Sequence, residues 1–224
     1  MRRFLVASLV VCSAVVRAQS PAAITGHWEG SLAARNMDVA FQIDVAKDGR
    51  GELIGTITVP SQHLTGLPLI KIVLDGHNVT LSARSDQLMT ATLNADGTLS
   101  GDYSTADMTA PFALKRTGDA TIAPAPRSAP VAADLEGRWS GSLAGQHLEL
   151  TLANDGGGAI ATLISVDEGG LTIPLVIARD GATVTLTSAA IGATWTGSLT
   201  ADGSLAGTFT ENQQSAPLTF TRRR

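Results

Sequence analysis

The chain has 224 residues, with 16 basic against 20 acidic side chains, four histidines, one cysteine and 44% hydrophobic residues. That negative balance leaves no basic face to displace the counterions of a nucleic acid, and nothing to draw the chain to anionic lipid. A single cysteine rules out an intrachain disulfide, so the fold must rest on buried apolar surface.

Residues 1–18 read as a secretory signal peptide. Arg2 and Arg3 supply the charged start, Phe4 to Val16 is apolar, and Val16 and Ala18 place small residues ahead of a cut. The stretch falls short of the roughly 20 apolar residues that span a bilayer as a helix. The rival is a lipid on Cys12, where Val11 fits poorly. Cleavage after Ala18 removes Cys12 and three of the 16 basic residues, leaving 13 against 20 and a net charge of −7. The expected location is the periplasm or the cell exterior.

Beyond that leader the chain repeats itself. Trp28-Glu29-Gly30-Ser31-Leu32 returns as Trp139-Ser140-Gly141-Ser142-Leu143, and Leu67-Pro68-Leu69 as Ile173-Pro174-Leu175. Ala95-Asp96-Gly97 returns as Ala201-Asp202-Gly203. The offset drops from 111 to 106 residues, so the second copy is five residues shorter, all lost early. The expected organisation is a β-domain over 24–117, an Ala/Pro-rich linker over 118–134 and a second β-domain over 135–224.

Alternation of apolar and polar residues, rather than helical periodicity, runs through both copies. In the first, strands are expected at 26–34, 37–47, 51–59, 66–74, 77–83, 87–94, 98–104 and 108–115. Three Asp-Gly pairs per copy, at Asp48, Asp75 and Asp96 and at Asp155, Asp180 and Asp202, predict tight hairpins at one end. The remaining connections form an open end with longer, more variable loops. This pattern predicts two all-β domains in tandem, each a small antiparallel β-barrel of about eight strands in a lipocalin-like up-and-down meander, with a two-sheet sandwich as the alternative. The linker, spaced by Pro124, Pro126 and Pro130, is expected to be semi-extended, to join the tight ends and to stay clear of both mouths.

On these residues the chain resembles a small accessory β-domain found ahead of the catalytic domain in secreted bacterial α/β-hydrolase-fold serine hydrolases and peptidases. Copy two follows its pattern along most of Gly137 to Arg222, through Ser165-Val166-Asp167-Glu168-Gly169, Ile173-Pro174-Leu175 and Pro217-Leu218-Thr219-Phe220. Copy one keeps Trp28, Gly66-Leu67-Pro68-Leu69 and Gly101-Asp102-Tyr103 but has Pro60-Ser61-Gln62 at the acidic turn. The resemblance implies a non-catalytic β-domain. The hydrolase domain that would follow is not in this sequence.

Catalytic signatures were sought and not found. No Gly-x-Ser-x-Gly occurs, no histidine pair has zinc-ligand spacing, and neither an enzyme nor a cofactor or metal is expected. The three tryptophans read as core before ligand contacts. Two functions remain open. One is an exported binding module holding a small apolar ligand in or at the mouth of the barrels; the other is an accessory protein docking on a separate envelope hydrolase. Both place contacts at the open ends, on Arg35, Gln62, His63, Arg84, Asp167 and Glu168, and both expect a monomer. A matched pair of substitutions is expected to separate turn from loop. Gly203→Val, in a tight hairpin, should destabilise more than Gly169→Val, in a loop free to relax.

Overall fold

The computed structural model describes residues 24–34 and 37–223. The expected signal peptide, residues 1–18, and Arg35 lie outside the described residues. Nine strands form the first unit: β1 (Gly26–Ala34), β2 (Met37–Lys47), β3 (Leu53–Val59), β4 (Leu64–Pro68), β5 (Lys71–Asp75), β6 (Asn78–Ser82), β7 (Leu88–Leu93), β8 (Thr98–Ser104) and β9 (Thr109–Gly118). Eight form the second: β10 (Gly137–Leu143), β11 (Gln146–Asp155), β12 (Gly158–Ser165), β13 (Leu171–Asp180), β14 (Thr183–Ser188), β15 (Ala193–Leu199), β16 (Leu205–Glu211) and β17 (Gln214–Arg222).

The second unit is a closed antiparallel barrel in meander order. The first is a curled sheet of nine strands in the order β4-β3-β2-β1-β9-β8-β7-β6-β5; two all-β units of about eight strands each are present as expected, and the first differs only in that β4 and β5 do not close it by a ladder. The strand expected over 66–74 is broken at Leu69-Ile70. Leu69 to Asp75 is one residue longer than Leu175 to Asp180, and an extra residue cannot enter a ladder of period two. It kinks the chain instead. The Leu69 N–H reaches Gly55 O at 2.8 Å on one flank, and the Ile70 N–H reaches Ser82 O at 2.8 Å on the other. The curl is closed by the chain, not by a ladder.

Register locates the five residues the second copy lacks. Gly30↔Phe41 corresponds to Gly141↔Leu148, so the first hairpin is four residues longer in copy one. Val45↔Gly55 corresponds to Leu152↔Ala161, which puts the fifth in the following turn. The extension carries β1 and β2 past Leu32↔Val39, whereas β10 and β11 end at the counterpart pair Leu143↔Gln146.

Inward and outward residues alternate as a half-buried sheet requires, most cleanly in β7 and β12. Trp28 and Trp139 plug the tight ends. Each is at most 1% exposed, donates its indole N–H to a backbone oxygen four residues back (2.9 and 3.0 Å), and lies under an arginine, Arg116 or Arg222. Four of the six Asp-Gly turns place glycine in the left-handed region. At Asp48 and Asp155 the left-handed glycine comes later, at Gly51 and Gly158, and the carboxylate accepts downstream backbone N–H groups.

The linker is not a free spacer. Thr121 N–H donates to Asp44 at 2.8 Å, and Val131 exchanges hydrogen bonds with the Asn154 side chain at 2.9 Å each. Leu135 is fully buried in the second core. A Pro-rich stretch adopts extended backbone readily, and here the backbone polar groups find partners on the barrel wall.

Candidate functional site

The open ends of the two units meet. Thr65 N–H donates to Ala190 O at 2.8 Å, and Ser85 N–H donates to Gly169 O at 2.7 Å. Leu67 of β4, 1% exposed, belongs to the same buried cluster as Leu171 and Ile173 of β13. The mouths were expected to be free of the linker; the first is instead partly roofed by the second unit itself. The physical reason is apolar surface on the β3–β4 segment that only a neighbour can bury.

Beneath that roof lies a cavity of about 260 Å³. Phe41, Ile57, Val59 and Met89 form its walls, the facing pair Leu32 and Val39 of β1 and β2 adds to them, and Leu171 crosses from the second unit. Its polar groups are few: Gln62, Arg84, Gln87 and Tyr103.

The equivalent interior of the second unit is nearly filled. Its interior void is about 10 Å³, roughly one water by volume. Trp195 fills it, with its indole N–H on Leu218 O at 3.0 Å and its ring edge-on to Phe220. A Cβ on Gly197 or Gly207 would come within 2.6–2.7 Å of that ring, so both positions must lack a side chain. Pairing makes Met89↔Tyr103 the counterpart of Trp195↔Phe209 and Ala91↔Gly101 that of Gly197↔Gly207. A thinner side chain over a methyl replaces a large ring over bare backbone. The cavity is the space that exchange leaves.

At the rim, the Arg84 guanidinium donates to both Asp86 carboxylate oxygens, from Nε at 3.0 Å and Nη2 at 2.8 Å. That fork holds the Asp86 carboxyl below its ordinary range and raises Arg84. Tyr103 is pushed up by burial, so its phenol stays neutral and can donate. Gln62 and Arg84 therefore line the cavity, while Arg35 lies outside the described residues.

The remaining residues named from the sequence do not converge there. His63 is exposed, in the left-handed region at φ 56° after a single 3₁₀ turn, Pro60–Gln62, whose Pro60 O accepts its N–H. Asp167 caps His147, accepting its backbone N–H at 2.8 Å and facing Nδ1 at 2.9 Å; that backbone bond chiefly lowers the Asp167 carboxyl. Glu168 is exposed in the same loop, within electrostatic reach of Arg84 and of Glu211, whose carboxyl is raised mainly by burial. Among the described residues no three His, Cys, Asp or Glu side chains are grouped to hold a metal.

Met89, Tyr103 and Leu171 were not singled out from the sequence. The usable signal was a mismatch between copies, methionine where its twin has tryptophan.

No protein family and no curated protein matches the chain. Among solved structures it is similar to a protein of unknown function of the DUF3598 family from Nostoc punctiforme, at 14% identity and a TM-score of 0.28, over 90% of this chain and 97% of that one. It is also similar to a putative outer membrane protein from Bacteroides fragilis, at 11% identity and a TM-score of 0.30, over 90% of this chain and 98% of that one. Among the described residues no helix is long and apolar enough to cross a membrane.

Proposed function

We propose that the chain is an exported, non-catalytic binding protein whose first unit holds one small, mainly apolar molecule. The observation that carries this reading is the asymmetry between twins: about 260 Å³ in one and about 10 Å³ in the other, under near-identical topology. A core that gained nothing from space would be packed like its duplicate, because empty apolar volume costs stability. The size suits the single small ligand an eight-strand-sized barrel can enclose. Neutral donors and acceptors at Gln62, Gln87 and Tyr103 would orient one polar group, while Arg84 is already satisfied by Asp86. The Arg2-Arg3 start and the apolar run to Val16 support export to the cell envelope.

The test is to fill the space as the twin does. Met89→Trp with Ala91→Gly should abolish uptake of a small fluorescent probe with an apolar body, such as an anilinonaphthalene sulfonate, read by its emission on binding, with the melting temperature unchanged or higher. Undiminished uptake in a folded double variant would refute the reading.

A second reading rests on the resemblance of Gly137–Arg222 to the hydrolase-linked accessory domain, with Val166, 42% exposed, beside the capped Asp167–His147 pair on the open-end loop. Here the second unit docks on a separate envelope hydrolase. Binding of such an enzyme that is indifferent to Val166→Glu would count against it.

A further inference from the structure

The two units splay at the same point of the barrel wall, and only one splay is stitched. In the second unit β12 and β13 pair as far as Ala161↔Leu175 and then part toward the tight end. The linker enters the gap. Ser128 exchanges backbone hydrogen bonds with Ala159 at 3.0 and 2.9 Å, and its hydroxyl accepts the Ile177 N–H at 2.9 Å. Arg127, one residue earlier, pairs with Asp155 at the adjoining turn.

In the first unit the last joined pair is the counterpart, Gly55 with Leu69, and beyond it β3 and β5 diverge. The Asp48 N–H donates to Glu52 O at 2.9 Å, so the alternation of an antiparallel ladder turns the N–H and C=O of Leu53 away from β2. Counting from the hairpin pair Asp75↔Asn78, the same alternation turns Ile72 away from β6. Leu53 and Ile72 stand where Ala159 and Ile177 stand in the twin. Among the described residues no backbone group pairs with them on that side. Two apolar side chains flank the edge in solvent, Ile54 at 39% and Val73 at 44% exposure. Asp48 occupies the place of Asp155.

We propose that this edge is a binding site for an extended segment of a partner polypeptide, in which a basic residue precedes a small hydroxyl residue. The segment would lie between Leu53 and Ile72 as Arg127-Ser128 lies between Ala159 and Ile177, with its basic residue toward Asp48. Strand addition at an open edge gives affinity through main-chain hydrogen bonds and specificity through the side chains beside them. The exposed Ile54 and Val73 would be covered in the complex. The site is at the tight end, opposite the cavity, and does not depend on it.

The probe is a synthetic peptide of the linker sequence, Ala123 to Val131, titrated into the isotope-labelled full chain. Saturable amide shifts at Leu53, Ile72 and their neighbours are expected. A peptide with proline in place of Ser128 cannot donate its N–H, and should bind about tenfold more weakly or worse. Ile54→Lys with Val73→Lys, both on exposed positions, should do the same to the native peptide by repelling its arginine. The proposal is overturned by no shifts at millimolar peptide, by shifts confined to Ala159 and Ile177, or by equal binding of the proline peptide. Self-association of the chain in sedimentation that Ile54→Lys with Val73→Lys abolishes would assign the edge to a second copy and overturn it as well.

Discussion

His27 sits between two carboxylates, with Nδ1 2.9 Å from Asp44 and Nε2 3.3 Å from Glu29, and the Asp44 bond chiefly raises its pKa above 6.5. A raised folded-state value means that protonation favours the folded chain. The stabilisation is complete below about pH 6.5 and disappears as pH climbs through the raised value. The melting gap between wild type and His27→Gln should therefore be widest near pH 6 and shrink by pH 9, by about 0.5–1 kcal/mol for a partly exposed pair. A gap independent of pH would mean that the imidazole acts only by shape. Gly169 gives the opposite lesson, since the expectation set for it from the sequence does not survive. It is left-handed at φ 63°, and a Cβ there would fall 2.1 Å from the Asp86 carboxylate; at Gly203, φ 83°, a Cβ meets nothing. Both valine variants carry backbone strain of about 1–3 kcal/mol, but only Gly169→Val also forces the units apart. Its melting temperature should be the lower of the two, reversing the order inferred from the loop's variability.

Elements were legible wherever one face is apolar and a turn residue punctuates it, which is why seven of the eight strands expected in the first copy appear close to their expected places. The exception, 66–74, failed for a physical reason. The inserted Ile70 is itself apolar, so the pattern reads as continuous while the ladder cannot absorb it. The candidate site was half legible. Gln62 and Arg84 could be placed at the open end by counting turns, but a cavity is a property of facing strands, and Leu171 enters it from another unit. The linker was misread because proline and alanine spacing says nothing of what lies alongside. Ser128 bridges β12 and β13, Val131 exchanges hydrogen bonds with the Asn154 side chain, and Arg222 reaches the backbone oxygen of Asp134. The autonomous second domain should accordingly begin near Pro124. Residues 124–224 should unfold cooperatively and resist denaturant better than 137–224, by about 2–4 kcal/mol for the lost leucine and the bridging hydrogen bonds. Superimposable denaturation curves for the two segments would show that the linker merely rests on the barrel.

At the scale of the whole molecule the duplicated units are unequal partners. The second is a closed, filled barrel whose one splay is stitched by the linker, whereas the first has a kinked strand, a cavity and a buried side chain lodged in its neighbour's core. Each difference moves stability in the same direction, because packing lost to a void and a ladder broken by a bulge both weaken the first unit. The contact between open ends therefore supports the first unit more than the second. Leu67 is the residue that tests this, being in β4 by sequence and in the second unit's cluster by packing. Leu67→Ala should cost about 2–5 kcal/mol, the usual range for a fully buried leucine. Calorimetry of the full chain should show that loss in the transition of the first unit, which moves down and separates from the second. The second transition should stay near that of the isolated 124–224 segment. A variant in which both transitions fall together would mean that the two units unfold as one, and a variant that shifts only the second would place the dependence the other way round.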